Sequence, residues 1–156
     1  METAFVWTSN TDTVIHSYAN AIKTIDGGTH ENGFRNGITK ALKAYIERRK
    51  LLPKGIPGIT SDDAKEGLVA IINVYLQGDV EFQGQTKGRL NSDITSQVES
   101  VVKDSLEHYL HDHQSVGDLI ANRVILAAQA RIASRQAKDS VNRKTHISHR
   151  LNLPGK

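Results

Sequence analysis

The sequence predicts an α+β domain followed by a long C-terminal helix, and three observations support this. Residues 2–8 and 13–20 are rich in β-branched and aromatic residues, which favour strands. Two later segments repeat apolar residues at spacings of three and four, the period of a helix that is buried on one side. Residues 116–144 contain no proline and one glycine and are rich in Ala, Arg, Gln and Lys, which favours a single long helix.

The first two strands are predicted to form a hairpin. Only the polar residues 9–12 separate them, and such a turn commonly joins antiparallel neighbours. A third strand is predicted within residues 67–76, GLVAIINVYL, whose nearly continuous apolar character is typical of a strand covered on both faces. We therefore expect this third strand at the centre of the sheet.

The first helix is predicted from the apolar stripe within residues 34–46. Thr29 is expected to be its N-cap, and Glu31 suits the first turn because a helix N-terminus favours negative charge. Pro53 should follow the end of the helix, since proline cannot extend it. A second stripe, within residues 94–110, predicts another helix, with a cap supplied by residues 91–93.

Composition excludes several classes of site. The chain has no cysteine, so disulfides, thiolate zinc sites and cysteine nucleophiles are impossible, and a reducing cytoplasm is the expected compartment. No apolar run is long enough to span a membrane, and the N-terminus lacks the features of a signal peptide, so no membrane partner is expected.

No metal site and no complete catalytic centre are predicted. The acidic residues of 62–66 are interpreted as a capped helical turn before a strand in preference to a cation site. The histidines within residues 108–113 lack the second carboxylate–histidine pair that a metal centre would need. Because no Ser-His-Asp set or suitable carboxylate pair is found, the chain is expected to be inactive by itself.

The loop Gly84–Gly88, GQTKG, has the composition of a phosphate-binding loop. Glycines let the backbone approach an anion closely, Lys87 adds a positive charge, and a helix expected just after the loop would offer free N–H groups. It is not a Walker A loop, because Thr86 precedes the lysine instead of following it. On its own composition, the loop is more often a solvated turn.

Positive charge is concentrated in residues 116–156, which contain eight Lys or Arg against two Asp or Glu, a formal charge of +6. Two interpretations remain open: a surface for a polyanion such as DNA, or a helix face kept soluble by its charges. At 100° per residue, four cations fall within an arc of about 120°. They are Arg123, Arg131, Arg135 and Lys138.

Four motifs, in order and at appropriate separations, resemble the transducer domain of bacterial DNA gyrase B, and the topoisomerase IV counterpart is nearly as close. The resemblance extends over essentially the whole chain. The motifs are DGGTH with GFR at 26–35, DDAKEGL at 62–68, QTK at 85–87 and LPGK at 153–156.

The resemblance implies a ribosomal protein S five domain two-like transducer fold with a left-handed βαβ crossover, an exception to the usual right-handed rule. It implies an α/β core in residues 1–115. Residues 116–156 would then form a basic helix and a linker toward a TOPRIM domain.

For function, the resemblance implies that Gln85 and Lys87 contact the γ-phosphate of ATP bound in a neighbouring GHKL ATPase domain. Lys87 would have the catalytic task of stabilising charge on the transferring phosphoryl group, and hydrolysis would be coupled to DNA strand passage and supercoiling. ATP and Mg²⁺ are the implied cofactors of the intact type II topoisomerase, and none is expected on this chain alone.

The implied partners are the ATPase and TOPRIM domains, the DNA gyrase A protein and double-stranded DNA. In the family the final helix lines a DNA cavity, and this chain departs from its basic pattern at Gln129, Gln136 and Asp139. The alternatives are a topoisomerase IV transducer and a stand-alone DNA-binding module. The implied DNA-binding residues are Arg131, Arg135, Lys138, Arg143 and Lys144.

Overall fold

A computed structural model describes the backbone of residues 1–151 and the side chains of residues 1–145. A mixed four-stranded sheet in the order β1-β4-β2-β3 forms its centre. β4 pairs antiparallel with β1 and parallel with β2, and the prediction of an α+β domain is confirmed. The strands are β1 (Glu2–Trp7), β2 (Val14–Ala19), β3 (Ile22–Lys23) and β4 (Leu68–Val74).

The predicted hairpin of the first two strands is wrong, because β4 lies between them. Their connection passes the end of β4 instead of turning back on itself, and the amide of Thr8 donates to the Gly67 carbonyl oxygen at 2.8 Å. A polar segment between two β-rich runs therefore indicated a connection but not which strands are neighbours. The parallel pair β2 and β4 implies a crossover, whose left hand stays a prediction.

The central position of β4 is confirmed, whereas its predicted burial on both faces is wrong. Leu68, Ala70 and Ile72 are buried among the helices, but Ile71, which points to the other face, is 51% exposed. The described helices pack on one side of the sheet only, so burial alternates along the strand.

Helix α1 (Thr29–Arg49) is confirmed, but its predicted cap is wrong. Gly28 is the N-cap and makes no side-chain cap bond, while the Thr29 hydroxyl donates to the Ser92 carbonyl oxygen. The helix ends at Arg49, and its C-cap Lys50 adopts the left-handed conformation before Pro53. Thr29 therefore ties α1 to the segment around Ser92 instead of capping its own helix.

Helix α3 (Thr95–Asp112) packs along α1 through small residues. A Cβ on Gly33 would lie 2.5 Å from the Thr95 carbonyl oxygen, so the two helices approach closely there. The N-cap is Ile94, which makes no side-chain cap bond, and not one of the predicted residues 91–93. Asp93 nevertheless accepts a hydrogen bond from the Thr95 amide at 3.4 Å, so the predicted segment satisfies one N–H group at the helix start. The residues of α3 that are buried are Val98, Val102, Leu106 and Leu110.

The predicted capped turn at 62–66 is confirmed as helix α2 (Ser61–Lys65). Thr60 is its N-cap and forms a capping box with Asp63. The Thr60 amide donates to Asp63 Oδ2 at 2.8 Å, and the Asp63 amide donates to Thr60 Oγ1 at 3.2 Å. Two free N–H groups at the helix start are satisfied in this way.

The long C-terminal helix is confirmed as α4 (Gln114–Leu151). Its first part belongs to the core shared with α1 and the sheet, where Ala121, Val124 and Ala128 have no exposed surface. The division of the chain at 115 and 116 into two units stays a prediction. The motif at 153–156 lies outside the described residues.

Candidate functional site

The loop at 84–88 forms the end of a small hairpin made by β5 (Phe82–Gln83) and β6 (Arg89–Leu90). Helix α3 begins only at Thr95, so the prediction of a helix N-terminus directly after the loop is wrong. Residues 89–94 form β6 and the segment that leads to the helix. Any affinity of the loop for an anion must therefore come from its own side chains and amides.

The hairpin tip, which we define as residues 84–87, is exposed. Gly84 has a φ of 78° and Lys87 a φ of 54°, both in the left-handed region, and the Lys87 amide closes the turn on the Gly84 carbonyl oxygen at 3.3 Å. Lys87 Nζ lies 5.7 Å from the centroid of the Phe82 ring. Among the described residues, neither Gln85 nor Lys87 has a side-chain hydrogen bond or ion pair.

The hairpin base, in contrast, is held tightly by residues 26–28. The Asp26 amide donates to the Gly88 carbonyl oxygen at 2.7 Å, and the Leu90 amide donates to the Gly27 carbonyl oxygen at 3.1 Å. Gly28 has a φ of 143°, and a Cβ there would lie 2.5 Å from the Leu90 carbonyl oxygen. Only glycine fits this approach, which explains the paired glycines just before α1.

A polar network next to the base fixes the start of α1. His30 is completely buried, and its Nε2 lies 3.0 Å from Thr24 Oγ1. Burial lowers the pKa of His30, and the nearby Glu31 carboxylate opposes this only in part. Glu31 accepts a hydrogen bond from Ser17 at 2.9 Å and pairs with Arg35 at 2.6 Å. Sequence reasoning missed this network, since polar residues spread over β2, the following turn and the start of α1 show no motif, although all of them lie within residues 17–35.

The basic residues of α4 divide into two kinds. Arg123 donates to the carbonyl oxygens of Thr8 at 3.2 Å and Asn10 at 2.8 Å, and Arg131 binds both carboxylate oxygens of Asp63. Their guanidinium groups are therefore engaged inside the domain. The remaining predicted DNA-binding residues are exposed: Arg135, Lys138, Arg143 and Lys144.

The other candidate clusters of polar residues do not form a site among the described residues. His108 lies 3.5 Å from Asp112 on the exposed side of α3, and within the described part of the chain no group of three or more His, Asp or Glu residues is placed to hold a metal ion. An open cleft of about 460 Å³ between α2 and α4 includes both Arg35 and Arg131, each already paired. No described helix is long and apolar enough to cross a membrane.

The family model and the curated relatives that match this chain are all DNA gyrase B. The family model for DNA gyrase B matches residues 1–140. The DNA gyrase B protein of Cytophaga hutchinsonii is 42% identical over 157 residues, covering 100% of this chain and 32% of the relative. The gyrase B protein of Mycobacterium tuberculosis is 39% identical over 159 residues, covering 100% of this chain and 23% of the relative. The chain thus spans a third or less of the curated relatives it matches.

Solved structures agree in fold and in sequence. The 43K ATPase domain of Thermus thermophilus gyrase B has a TM-score of 0.80 at 33% identity, over 88% of this chain and 37% of that structure. The topoisomerase IV ATP binding domain of Francisella tularensis has a TM-score of 0.74 at 37% identity, over 83% of this chain and 36% of that structure. The chain therefore belongs to the DNA gyrase B family, in which it corresponds to the transducer domain.

Proposed function

We propose that this domain senses the γ-phosphate of ATP bound in a neighbouring ATPase domain and couples its hydrolysis to DNA strand passage by a type II topoisomerase. The observation that supports this best is the contrast within the hairpin. The side chains of Gln85 and Lys87 have no hydrogen-bond or ion-pair partner among the described residues, whereas the base is held by backbone hydrogen bonds and by the close approach of Gly28. A tip of this kind is available to a ligand that the rest of the chain does not provide.

The chemistry of the tip fits a phosphate. Gln85 offers an amide donor and Lys87 an ammonium group, both suited to phosphoryl oxygens. When bound in the neighbouring domain, ATP with Mg²⁺ supplies the phosphoryl group whose charge Lys87 stabilises. The tip has no carboxylate, so the metal must be held by residues outside this loop.

Coupling follows from the loss of that contact. When phosphate leaves, Gln85 and Lys87 lose their partner, and the domain becomes free to rotate against the ATPase domain. Such a rotation would move α4 and the DNA near it. In this proposal the exposed cations of α4 face the phosphates of a DNA duplex without reading its sequence.

The direct experiment is Lys87→Ala in the intact gyrase B protein, combined with the gyrase A protein and DNA. Removing one preorganised positive group should lower kcat for ATP hydrolysis by about 10²–10³-fold, while nucleotide binding largely remains. Lys54→Ala, which changes an exposed lysine far from the hairpin in the sequence, is the matched control and should leave kcat unchanged. Normal turnover by the Lys87 variant would contradict the proposed role.

Two alternatives are separated by simple measurements. The topoisomerase IV assignment, favoured by the Francisella tularensis similarity, predicts strand passage without negative supercoiling in the reconstituted complex. A stand-alone DNA-binding module predicts salt-dependent DNA binding by this chain alone, with function independent of Lys87. We also propose that the intact protein acts in the cytoplasm, because a chain without cysteine fits a reducing compartment.

A further inference from the structure

We propose that Arg131 is a positioning residue that seats α4 on the domain through Asp63, and that the DNA-facing cations begin at Arg135. This inference rests on the proposed coupling function, because it identifies one of the contacts through which movement of the domain reaches α4, next to the core contacts of its first part. It removes Arg131 from the set of DNA contacts. It also gives the buried Asp63 a role beyond capping α2.

The Asp63–Arg131 pair has the geometry of a strong contact. Arg131 Nε lies 3.1 Å from Asp63 Oδ1, and Arg131 Nη2 lies 3.1 Å from Asp63 Oδ2. A guanidinium that binds both oxygens of one carboxylate fixes orientation as well as distance. The Asp63 side chain is only 4% exposed, and its hydrogen bonds raise the pKa of Arg131. The Arg131 guanidinium is therefore bound within the domain and is not available as a DNA contact.

Asp63 is itself held in place from the other side. Its Oδ2 also accepts the Thr60 amide, so one carboxylate both caps α2 and binds α4. Ser61, in the first turn of α2, lies 3.3 Å from the Thr39 hydroxyl on α1, and that hydroxyl donates to the Arg35 carbonyl oxygen. The carboxylate that receives Arg131 therefore belongs to the body formed by α1 and α2.

The same body holds the hairpin. Arg35 pairs with Glu31 in the first turn of α1, directly after the residues 27 and 28 that hold the hairpin base. A continuous series of contacts therefore runs from the base of the tip through α1 and α2 to Asp63. If the tip is displaced, the movement reaches α4 through its contacts with this body. The more rigid these contacts are, the more of the displacement α4 follows.

Arg135, one turn further along α4, provides the contrast. It is exposed, and within the described residues it has no ion pair or side-chain hydrogen bond. Arg131 and Arg135 have the same charge on the same helix and differ in whether a carboxylate of the domain binds them. This makes them a matched pair for separating positioning from DNA contact.

The experiment compares Arg131→Gln with Arg135→Gln in the intact gyrase B protein, combined with the gyrase A protein. Arg131→Gln should retain ATP hydrolysis but lower the number of strand passages per ATP by about fivefold or more. The salt dependence of DNA binding should be unchanged. Arg135→Gln should keep the passages per ATP at saturating DNA and reduce the slope of log Kd against log salt by about 1, the loss of one phosphate contact.

Two further variants distinguish the ion pair from a general loss of structure. Asp63→Asn keeps an oxygen for the Thr60 amide but removes the charge, so it should lower coupling as Arg131→Gln does, and the double variant should lose little more. Arg131→Lys keeps the charge without the two-point geometry and should restore coupling in part. Each comparison is made well below the measured unfolding temperature of the variants.

The inference is overturned if Arg131→Gln leaves coupling intact, or if it reduces the DNA salt slope as much as Arg135→Gln does. Lys87→Ala serves as the reference for the proposed function. If Lys87→Ala hydrolyses ATP normally, the sensing function fails whatever the arginine variants do. If Lys87→Ala loses hydrolysis while Arg131→Gln stays coupled, only the positioning role fails.

Discussion

The molecule divides into a packed centre and two outlying parts, and their side chains are used in opposite ways. The hairpin tip and the outer helix, residues 132–145 of α4, have few contacts with the core, and Gln85, Lys87 and Arg135 have no side-chain hydrogen bond or ion pair among the described residues. In the centre, Arg131 and the buried His30 are bound by other residues of the chain. In our proposal, the exposed polar side chains of these two outlying parts are the ones that meet other molecules.

The packed centre and the hairpin tip also use glycine for different purposes. In the centre they allow close packing, as at Gly28 against Leu90 and Gly33 against the start of α3. At the tip, a Cβ on Gly84 would meet only Thr86 Oγ1, at 4.0 Å, and the glycine serves the turn through its positive φ of 78°. Glycine thus allows close packing in the centre and a left-handed turn conformation at the tip. Changes in the centre should therefore cost stability, and changes in the outlying parts should cost function alone.

The largest difference is expected for a charge placed at two positions of α4. Ala128→Asp buries a carboxylate at a position with no exposed surface and should cost at least about 4 kcal/mol of unfolding free energy. Ala137→Asp makes the same change in the exposed outer helix and should stay within about 0.5 kcal/mol. Urea unfolding of the two variants measures this. Similar losses of unfolding free energy at both positions would contradict the distinction between a packed centre and an exposed outer helix.

A smaller difference is expected for neighbouring aspartates of α2. Asp63→Ala removes the side chain that accepts the Thr60 amide in the capping box and the bonds to Arg131, so it should lower the unfolding free energy by about 2–3 kcal/mol. Asp62→Ala changes a side chain that is 95% exposed and should have little effect. Thermal unfolding of both variants tests the pair. Equal stability would show that the buried carboxylate does not hold α4.

The pH dependence of stability should come in part from the centre. Because the folded protein lowers the pKa of His30 below its ordinary value of 6.5, the unfolded chain binds the proton more readily. The contribution of His30 to stability is therefore full above pH 6.5 and is lost as the pH falls toward its folded pKa. Unfolding measured from pH 7.5 to 5 should show the loss. His113→Gln, at an exposed site, should keep it, and His30→Gln should reduce it.

The smallest effect on stability is expected in the outer helix. Replacing both Lys138 and Arg143 by Gln should change the unfolding free energy by no more than about 0.5 kcal/mol, since both are exposed. DNA binding by the intact protein should nevertheless lose about 2 from the slope of log Kd against log salt. A loss of unfolding free energy without a change in the slope of log Kd against log salt would show that these residues stabilise the fold and do not contact DNA.

Local signals in the sequence predicted local structure well. The apolar period predicted α1 and α3, and the composition of residues 116–144 predicted α4. The capped turn expected at residues 62–66 corresponds to α2 with its capping box. Long-range pairing was not predictable, because nothing within residues 2–20 shows that β4 inserts between β1 and β2. β5 and β6 have two residues each, too few for a pattern to emerge.

The site was predicted in part for the same reason. Gln85 and Lys87 were identified from the motif, and the structure places them at an exposed turn as a solvated or ligand-binding loop requires. The different situations of Arg131 and Arg135 were not foreseen, because helical spacing places both on one stripe. It does not show that Asp63, 68 residues earlier in the chain, meets only the first of them.

Hydrogen–deuterium exchange at residues 84–88 in the intact protein tests γ-phosphate sensing most directly. The tip residues are exposed, and only the Lys87 amide has a backbone partner within the turn, so the tip should exchange quickly unless a ligand covers it. A non-hydrolysable ATP analogue should slow their exchange relative to ADP, and Lys87→Ala should remove that difference. Equal exchange with the analogue and with ADP in the wild-type protein would contradict the proposal.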